Sequence, residues 1–150
     1  IIFYSRTALE QMAPVATVLR TQVKSFEFKS QTKDIYKTAS AGYQNADQKQ
    51  LIAAGYSDST APTADDRSVI TRIEKPDAAT LKAQSALHDK NKDQFTSRIE
   101  AEGTVLLVAG VNITIQGFGA FDGKWHVMSS RHRLERSSGY TTEIEAREIL

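Results

Sequence analysis

Between Gly110 and Ala146 the chain reads GVNITIQGFGAFDGKWHVMSSRHRLERSSGYTTEIEA, and this stretch narrows the choice of fold more than any other. Val111, Ile113 and Ile115 alternate with Asn112, Thr114 and Gln116. A period of two puts one set on a buried face and the other on an exposed face, as in a strand. Gly117, Gly119 and Gly123 punctuate the turn that follows, where a residue without Cβ takes backbone angles closed to others. Lys124 to Leu134 and Tyr140 to Arg147 read as two more strands. Their connection, Glu135 to Gly139, is a polar hairpin loop ending in glycine.

Upstream the pattern is weaker. Ile1 to Arg6 reads as a short strand, and Ala8, Leu9 and Met12 fall at helical spacing before Pro14. Val15 to Ser30 reads as extended, with Phe26 and Phe28 on one face as candidate core residues. Lys33 to Ala41 is the next expected strand. Gln44 to Arg67 is dense in Asn, Asp, Gly, Ser and Pro and is expected to be a long loop, with a short strand or turn at Lys49 to Gly55. Val69 to Ile73 returns to a strand pattern. Pro76 then opens the one clear helix, Pro76 to Lys90. Proline suits a first helical turn because its missing N–H has no partner there, and Asp77 complements the positive end of the helix dipole. Ala79, Ala83, Ala86 and Leu87 form its narrow apolar stripe. Phe95 to Ala101 is expected as a strand, Gly103 as a turn, and Val105 to Gln116 as one long buried strand.

Composition sets outer bounds. The 150 residues suit one domain, or one and a fragment; 40% are apolar and 25% charged, ordinary values for a globular protein. There is no cysteine, so no disulfide or thiolate site can form. No apolar run reaches the about 18 residues of a membrane span. A net charge of +1 supplies no bulk attraction for nucleic acid or an anionic surface. The start, Ile1-Ile2-Phe3-Tyr4, reads as an internal strand of a longer protein.

Each cluster of reactive side chains has a structural reading beside the chemical one. His126 and His132, on one face of a straight strand, would stand about 20 Å apart, too far to share a metal ion. Lys124, Arg131, Arg133 and Arg136 form a basic stripe near Trp125, of the kind that nucleic-acid barrels combine with stacking aromatics. The hairpin register instead sets Arg131 opposite or diagonal to Glu143, a modestly stabilising pair. The Gly117–Gly123 segment lacks the Gly-Lys-Ser/Thr ending of a phosphate loop and joins two strands, which makes it a tight corner that Phe118 and Phe121 can plug. Ser129 and Ser130 near His132 and Asp122 lack the strained elbow of a serine nucleophile. Glu100 and Glu102 lack the sugar platform of a glycosidase. No cofactor or metal site is expected.

The same C-terminal stretch resembles the late control protein D family, the baseplate hub of contractile phage tails. The resemblance rests on Ala109-Gly110-Val111, Gly117-Phe118-Gly119, Phe121-Asp122-Gly123-Lys124-Trp125, His132 and Ser138-Gly139-Tyr140-Thr141-Thr142. The order strand, Ala-rich helix, strand from Ser68 to Gly103 is similar to the family's as well. It implies an antiparallel hub barrel that joins tail tube to central spike, as a homotrimer in the full-length protein. It further implies a place in the virion tail baseplate, assembled in the host cytoplasm, with no catalytic activity. The related spike of type VI secretion is an alternative, as is a nucleic-acid-binding β-barrel, which the charge balance disfavours.

The fold expected is mainly β: a partly open antiparallel barrel with one packed helix. Residues 1–22 are expected to close a preceding domain and 23–150 to form the barrel domain, with its loop at 44–67 and helix at 76–90. Few large apolar residues anchor that loop, so limited proteolysis is expected to cut first between Asp58 and Asp66. Initial cleavage inside the Gly110–Ala146 strands would contradict this reading.

Overall fold

The computed structural model describes residues 5–31, 35–45, 50–57, 66–69, 76–137 and 139–149. It divides into two compact units, Ile1–Ser30 with Asp93–Leu150, and Gln31–Lys92.

The larger unit opens with a short helix, α1 (Arg6–Gln11), whose first turn is capped by Ser5 Oγ accepting from the Ala8 amide at 3.2 Å. Six strands follow: β1 (Ala16–Leu19), β2 (Val23–Ser30), β6 (Phe95–Glu102), β7 (Asn112–Gln116), β8 (Gly123–Glu135) and β9 (Gly139–Glu148), with β3 to β5 lying in the other unit. Their order across the sheet is β1-β7-β8-β9-β6-β2; β1 runs parallel to β7 and every other pairing is antiparallel. The two outer strands are consecutive in the chain, joined only by the three-residue 3-10 turn Arg20–Gln22. Six flat strands would set the outer two about 24 Å apart at about 4.8 Å per strand. The connection from Leu19 to Val23 reaches about 14 Å at most. The sheet therefore curls into a half-barrel whose edge strands approach one another without pairing.

All six strands supply the concave core: Val18, Val23, Ile99, Ala101, Ile113, Ile115, Trp125, Val127, Ile144 and Ala146, joined by Leu107 from the β6–β7 connection. Ile113 and Ile115 are fully buried, as their alternation predicts. Trp125 is also fully buried, and its indole Nε1 donates to the Phe121 carbonyl at 3.1 Å. Phe28 stacks on Phe121 at 4.4 Å and tilts against Trp125 at 5.5 Å. Phe26 shares this face but remains 43% exposed, because β2 is an edge with no further strand beyond it.

The smaller unit pairs β3 (Thr38–Asn45) antiparallel with β4 (Gln50–Ser57) and parallel with β5 (Asp66–Val69). The helix α2 (Pro76–Asn91) packs on β3 and β4, burying Ala83 and Leu87. Ile35 and Ala39 are buried in this unit as well. At the helix end Asn91 closes a reciprocal pair with the backbone of Tyr36: its Nδ2 donates to the carbonyl at 2.7 Å and its Oδ1 accepts from the amide at 3.0 Å.

The architecture is the expected one, mainly β with a curled, partly open sheet and one main helix. Several boundaries differ. Arg6 begins a helix, while Ile1–Tyr4 of the expected first strand lie outside the described residues. The expected domain boundary at residue 22 falls inside the half-barrel, since β1 pairs with β7 and belongs to the same unit as β9. Gln44 to Arg67 is not one loop: the strand or turn expected at Lys49 to Gly55 is β4, longer than expected, and the stretch also holds the start of β5. Its Ala- and Gly-rich strand residues carry little β propensity, so cross-strand pairing supplied what the sequence pattern lacked. Residues 58–65, where cleavage is expected, and Ile70–Ile73 lie outside the described residues. The strand expected at Val105 to Gln116 begins only at Asn112. Val105, Leu106 and Val108 are exposed in the preceding segment, and Gly110, at φ 90°, turns the chain into β7.

Trp125 fills the centre of the core, so Trp125→Ala is expected to destabilise the fold by about 3–5 kcal/mol. Urea denaturation monitored by far-UV circular dichroism reads this directly. An unchanged midpoint would mean that the aromatic cluster does not support the half-barrel.

Candidate functional site

The residues that carry the sequence motif build two structural corners. At the first, Gly117 adopts φ 89° and a Cβ there would lie 3.1 Å from the Arg20 side chain, so glycine meets both the backbone and the space requirement. Asp122 Oδ1 accepts from the Phe118 amide at 2.6 Å, closing the 3-10 turn Gly119–Phe121. Phe118 packs edge-on against Phe26 at 5.2 Å and Phe28 at 5.4 Å. The Arg20 guanidinium covers Phe26 at 4.5 Å from the ring centre. Gly117, Phe118, Gly119, Phe121, Asp122, Gly123 and Trp125 thus form one corner, with an aromatic plug that reaches across to β2.

The second corner surrounds His132. Its Nε2 lies 3.0 Å from Ser130 Oγ, and its Nδ1 lies 2.9 Å from Tyr140 Oη and 3.1 Å from Thr142 Oγ1. Ser130 Oγ donates to the Leu107 carbonyl, so its contact with His132 is made by an Nε2–H. Thr142 Oγ1 accepts in turn from the Thr104 amide at 3.1 Å. The tip of the β8–β9 hairpin is thereby tied to the 104–107 segment. Tyr140 lies flat over Gly103, where a Cβ would sit 2.0 Å from the ring. Ser130 and His132 are neighbours, but the imidazole faces three hydroxyls and no carboxylate. Asp122, the other member of the imagined triad, lies ten residues away along β8, about 33 Å at about 3.3 Å per residue.

A β-bulge between Val127 and Ser129 governs which face each β8 residue takes. His126 pairs with Arg147 and His132 with Thr142, five positions apart along β9. The two histidines therefore point to opposite faces, not to the one face that strict alternation predicts. The extra residue of a bulge reverses the parity of everything beyond it, and a two-residue pattern carries no sign of it. Among the described residues no group of three potential ligands could hold a metal ion.

On the convex face, charges of both signs interleave. Arg131 lies directly opposite Glu143 in the ladder. Glu143 forms ion pairs with Arg98 and with Arg133, the latter at 3.3 Å. The hydrogen bond from Arg98 holds the Glu143 carboxyl below its usual range. Ser129 Oγ donates to Glu145 at 3.0 Å and Ser25 Oγ to Glu100 at 3.3 Å. These residues edge an open groove of about 360 Å³ lined by Ser25, Phe26, Glu27, Arg98, Glu100, Arg133 and Glu143. The arginines face carboxylates, and Trp125 is fully buried, so the tryptophan beside the basic stripe is not available for base stacking.

A third cluster was not legible in the sequence. Asn112, on the polar phase of β7, is 1% exposed. Its Nδ2 is shared among the carbonyls of Leu9, Glu10 and Met12 at 2.7, 3.2 and 2.8 Å, which are the open end of α1. Lys124 Nζ donates to the Glu10 carbonyl, and Arg147 pairs with the Glu10 carboxylate in a buried ion pair. His126 Nδ1 lies 2.8 Å from Asn112 Oδ1. Burial, then the adjacent Arg147, lowers the His126 imidazole below its ordinary value, against the opposing pull of Glu10. The one sequence sign of this cluster was four polar side chains converging on the same face of three adjacent strands, a pairing that required the register.

No protein-family model matches the sequence, and neither does any curated protein sequence. Solved structures do match. The tail protein from Neisseria meningitidis MC58 superposes with a TM-score of 0.71 at 21% identity, over 91% of this chain and 45% of its own. The 43 kDa tail protein of prophage MuSo2 from Shewanella oneidensis gives 0.70 at 8% identity, over 87% of this chain and 42% of its own. A chain of the virion of the native gene transfer agent particle gives 0.57 at 12%, over 92% and 32%. The chain spans less than half the length of these proteins.

Breaking the Glu10–Arg147 pair tests the third cluster. Arg147→Met removes the guanidinium that faces a buried carboxylate and is expected to cost on the order of 3 kcal/mol. The double variant Glu10→Gln/Arg147→Met is expected to recover most of that loss, and equal urea midpoints for the two would show that the charge pair does not hold α1. At these identities the likeness is one of fold, shared with the Neisseria tail protein and the tail protein of prophage MuSo2.

Proposed function

We propose that this chain is a structural module of a contractile phage or prophage tail, acting in the baseplate hub that joins tail tube to central spike. The observation that carries the reading is the shared fold, which extends over about nine-tenths of the chain in two tail proteins. The disposition of the polar groups supports it. Ser130, His132, Tyr140 and Thr142 hold a loop to a hairpin, and Asp122 closes a turn. None of them forms the nucleophile–base–carboxylate relay of a serine hydrolase. Such fastening suits a role in assembly.

In this reading the unit works beside copies of itself, as a homotrimer of the full-length protein, and contacts spike and tube proteins. A run of apolar exposure suits such neighbours: Val105 at 75%, Leu106 at 53% and Val108 at 43%, with Leu134 at 83% on the pinned hairpin. Apolar surface gathered in this way is more typical of an interface than of free solvent.

The test uses the full-length protein, since the present chain covers under half of its structural relatives. Its mass in solution is expected to be that of a trimer, with retention of spike or tube protein in co-purification. No turnover is expected on peptidoglycan, nucleotides or esters. A full-length protein that stays monomeric at high concentration and binds neither partner would end the hub reading, and turnover on any of those substrates would end the non-catalytic one.

A further inference from the structure

α1 is a strap laid across the convex face of the half-barrel, and what seats its end is polar. Two helix carbonyls and that of the C-cap Met12, a lysine, an asparagine, a histidine and a buried ion pair meet within one patch. The helix has six residues, too few to be stable by itself in water. Its place therefore depends on that patch and on the adjoining chain, where the Val15 amide donates to the Asn112 carbonyl at 2.8 Å.

The hydrogen bonds fix the state of the histidine. Asn112 turns its Nδ2 toward carbonyls, which can only accept, so its Oδ1 must face His126. His126 consequently donates through Nδ1–H, and the neutral ring keeps its lone pair on Nε2. The described charged groups facing it are Arg147 on β9, Lys124 on β8 and Glu10 on α1. Glu145, two residues from Arg147 on the same face, is engaged by Ser129. One carboxylate thus already answers two cations beside the ring. A proton on Nε2 would add a third positive charge there without adding an acceptor.

We infer that His126 is an acid-sensitive latch, and that its protonation loosens α1 from the sheet, uncovering Asn112 and Arg147 and freeing the segment ahead of β1. Geometry and charge count carry this argument, and the depressed basicity of the half-buried ring agrees with it. The sign follows from linkage. A histidine held neutral in the folded state contributes stability that is fully present above the unfolded-chain value of about 6.5 and is lost as pH falls below it, levelling off under the folded-state value. This inference is independent of the tail reading, since it concerns how one strap is held.

The experiment is hydrogen exchange of the Ser5–Met12 backbone, corrected for intrinsic rates, between pH 7.5 and pH 5.0. Wild-type protection is expected to fall by up to tenfold per pH unit within the titration window. His126→Gln keeps a donor toward Asn112 but cannot titrate, so its protection is expected to be flat with pH. Flat protection in the wild type, or an equal fall in His126→Gln, would overturn the latch. In case the variant fails to fold, the wild type alone decides through the NMR titration of its imidazoles. The loss of protection must set in near the unfolded-chain value of about 6.5 and level off below the His126 midpoint read by NMR, and a loss confined to pH outside that window rejects the proposal.

Discussion

The three residues between β1 and β2 shape everything else in the larger unit. They connect the two outermost strands of a six-stranded sheet, and no flat sheet can meet so short a tether. Curling brings six inner faces toward one line. Trp125, Ile99, Ile113 and Ile144 then bury together in a core that a single open face could not enclose. The aromatic corner follows from the same curvature. Phe118 and Phe121 leave the β7–β8 turn, yet they meet Phe26 and Phe28 of β2, at the other end of the strand order. Such contacts exist only because the sheet returns on itself. The plug closes the approach between two edges that hydrogen bonds leave unpaired.

Polar groups in this unit act mainly as fasteners. The His132 cluster ties the hairpin tip to the 104–107 segment, and the Asn112 cluster ties α1 to the convex face. Both satisfy backbone or hydroxyl groups that burial would otherwise leave costly. Among the described residues no buried side-chain nitrogen or oxygen lacks a partner. The Glu10–Arg147 pair is the exception in character, being buried and charged. Its desolvation cost makes it sensitive to any added charge nearby, and that sensitivity gives His126 its leverage.

The fold class, the helix at Pro76 and the last three strands were legible because their signals are local. Alternation in Val111–Gln116, glycines at the corner and a proline at a helix start each report on a few adjacent residues. The aromatic burial around Trp125 was legible for a similar reason, since Phe118 and Phe121 crowd the same turn. β4 was legible only as a short strand or turn, because its Ala- and Gly-rich sequence does not show its full length until β3 pairs with it. Val105, Leu106 and Val108 failed in the opposite sense, since apolar residues there suggested a buried strand but lie on the surface.

By itself the sequence determined which segments could be strands, which faces could be apolar, and that no thiol chemistry was available. Those properties follow from side-chain chemistry and from periods of a few residues. Tertiary structure decided the rest. The bulge at Met128 sent His126 and His132 to opposite faces. The return of the sheet placed β1 in the same body as β9, and α1 turned an expected solvent-facing Asn112 into a buried anchor. Each of these depends on residues distant in the chain meeting in space, and pairings across a hundred residues leave no mark in a local pattern.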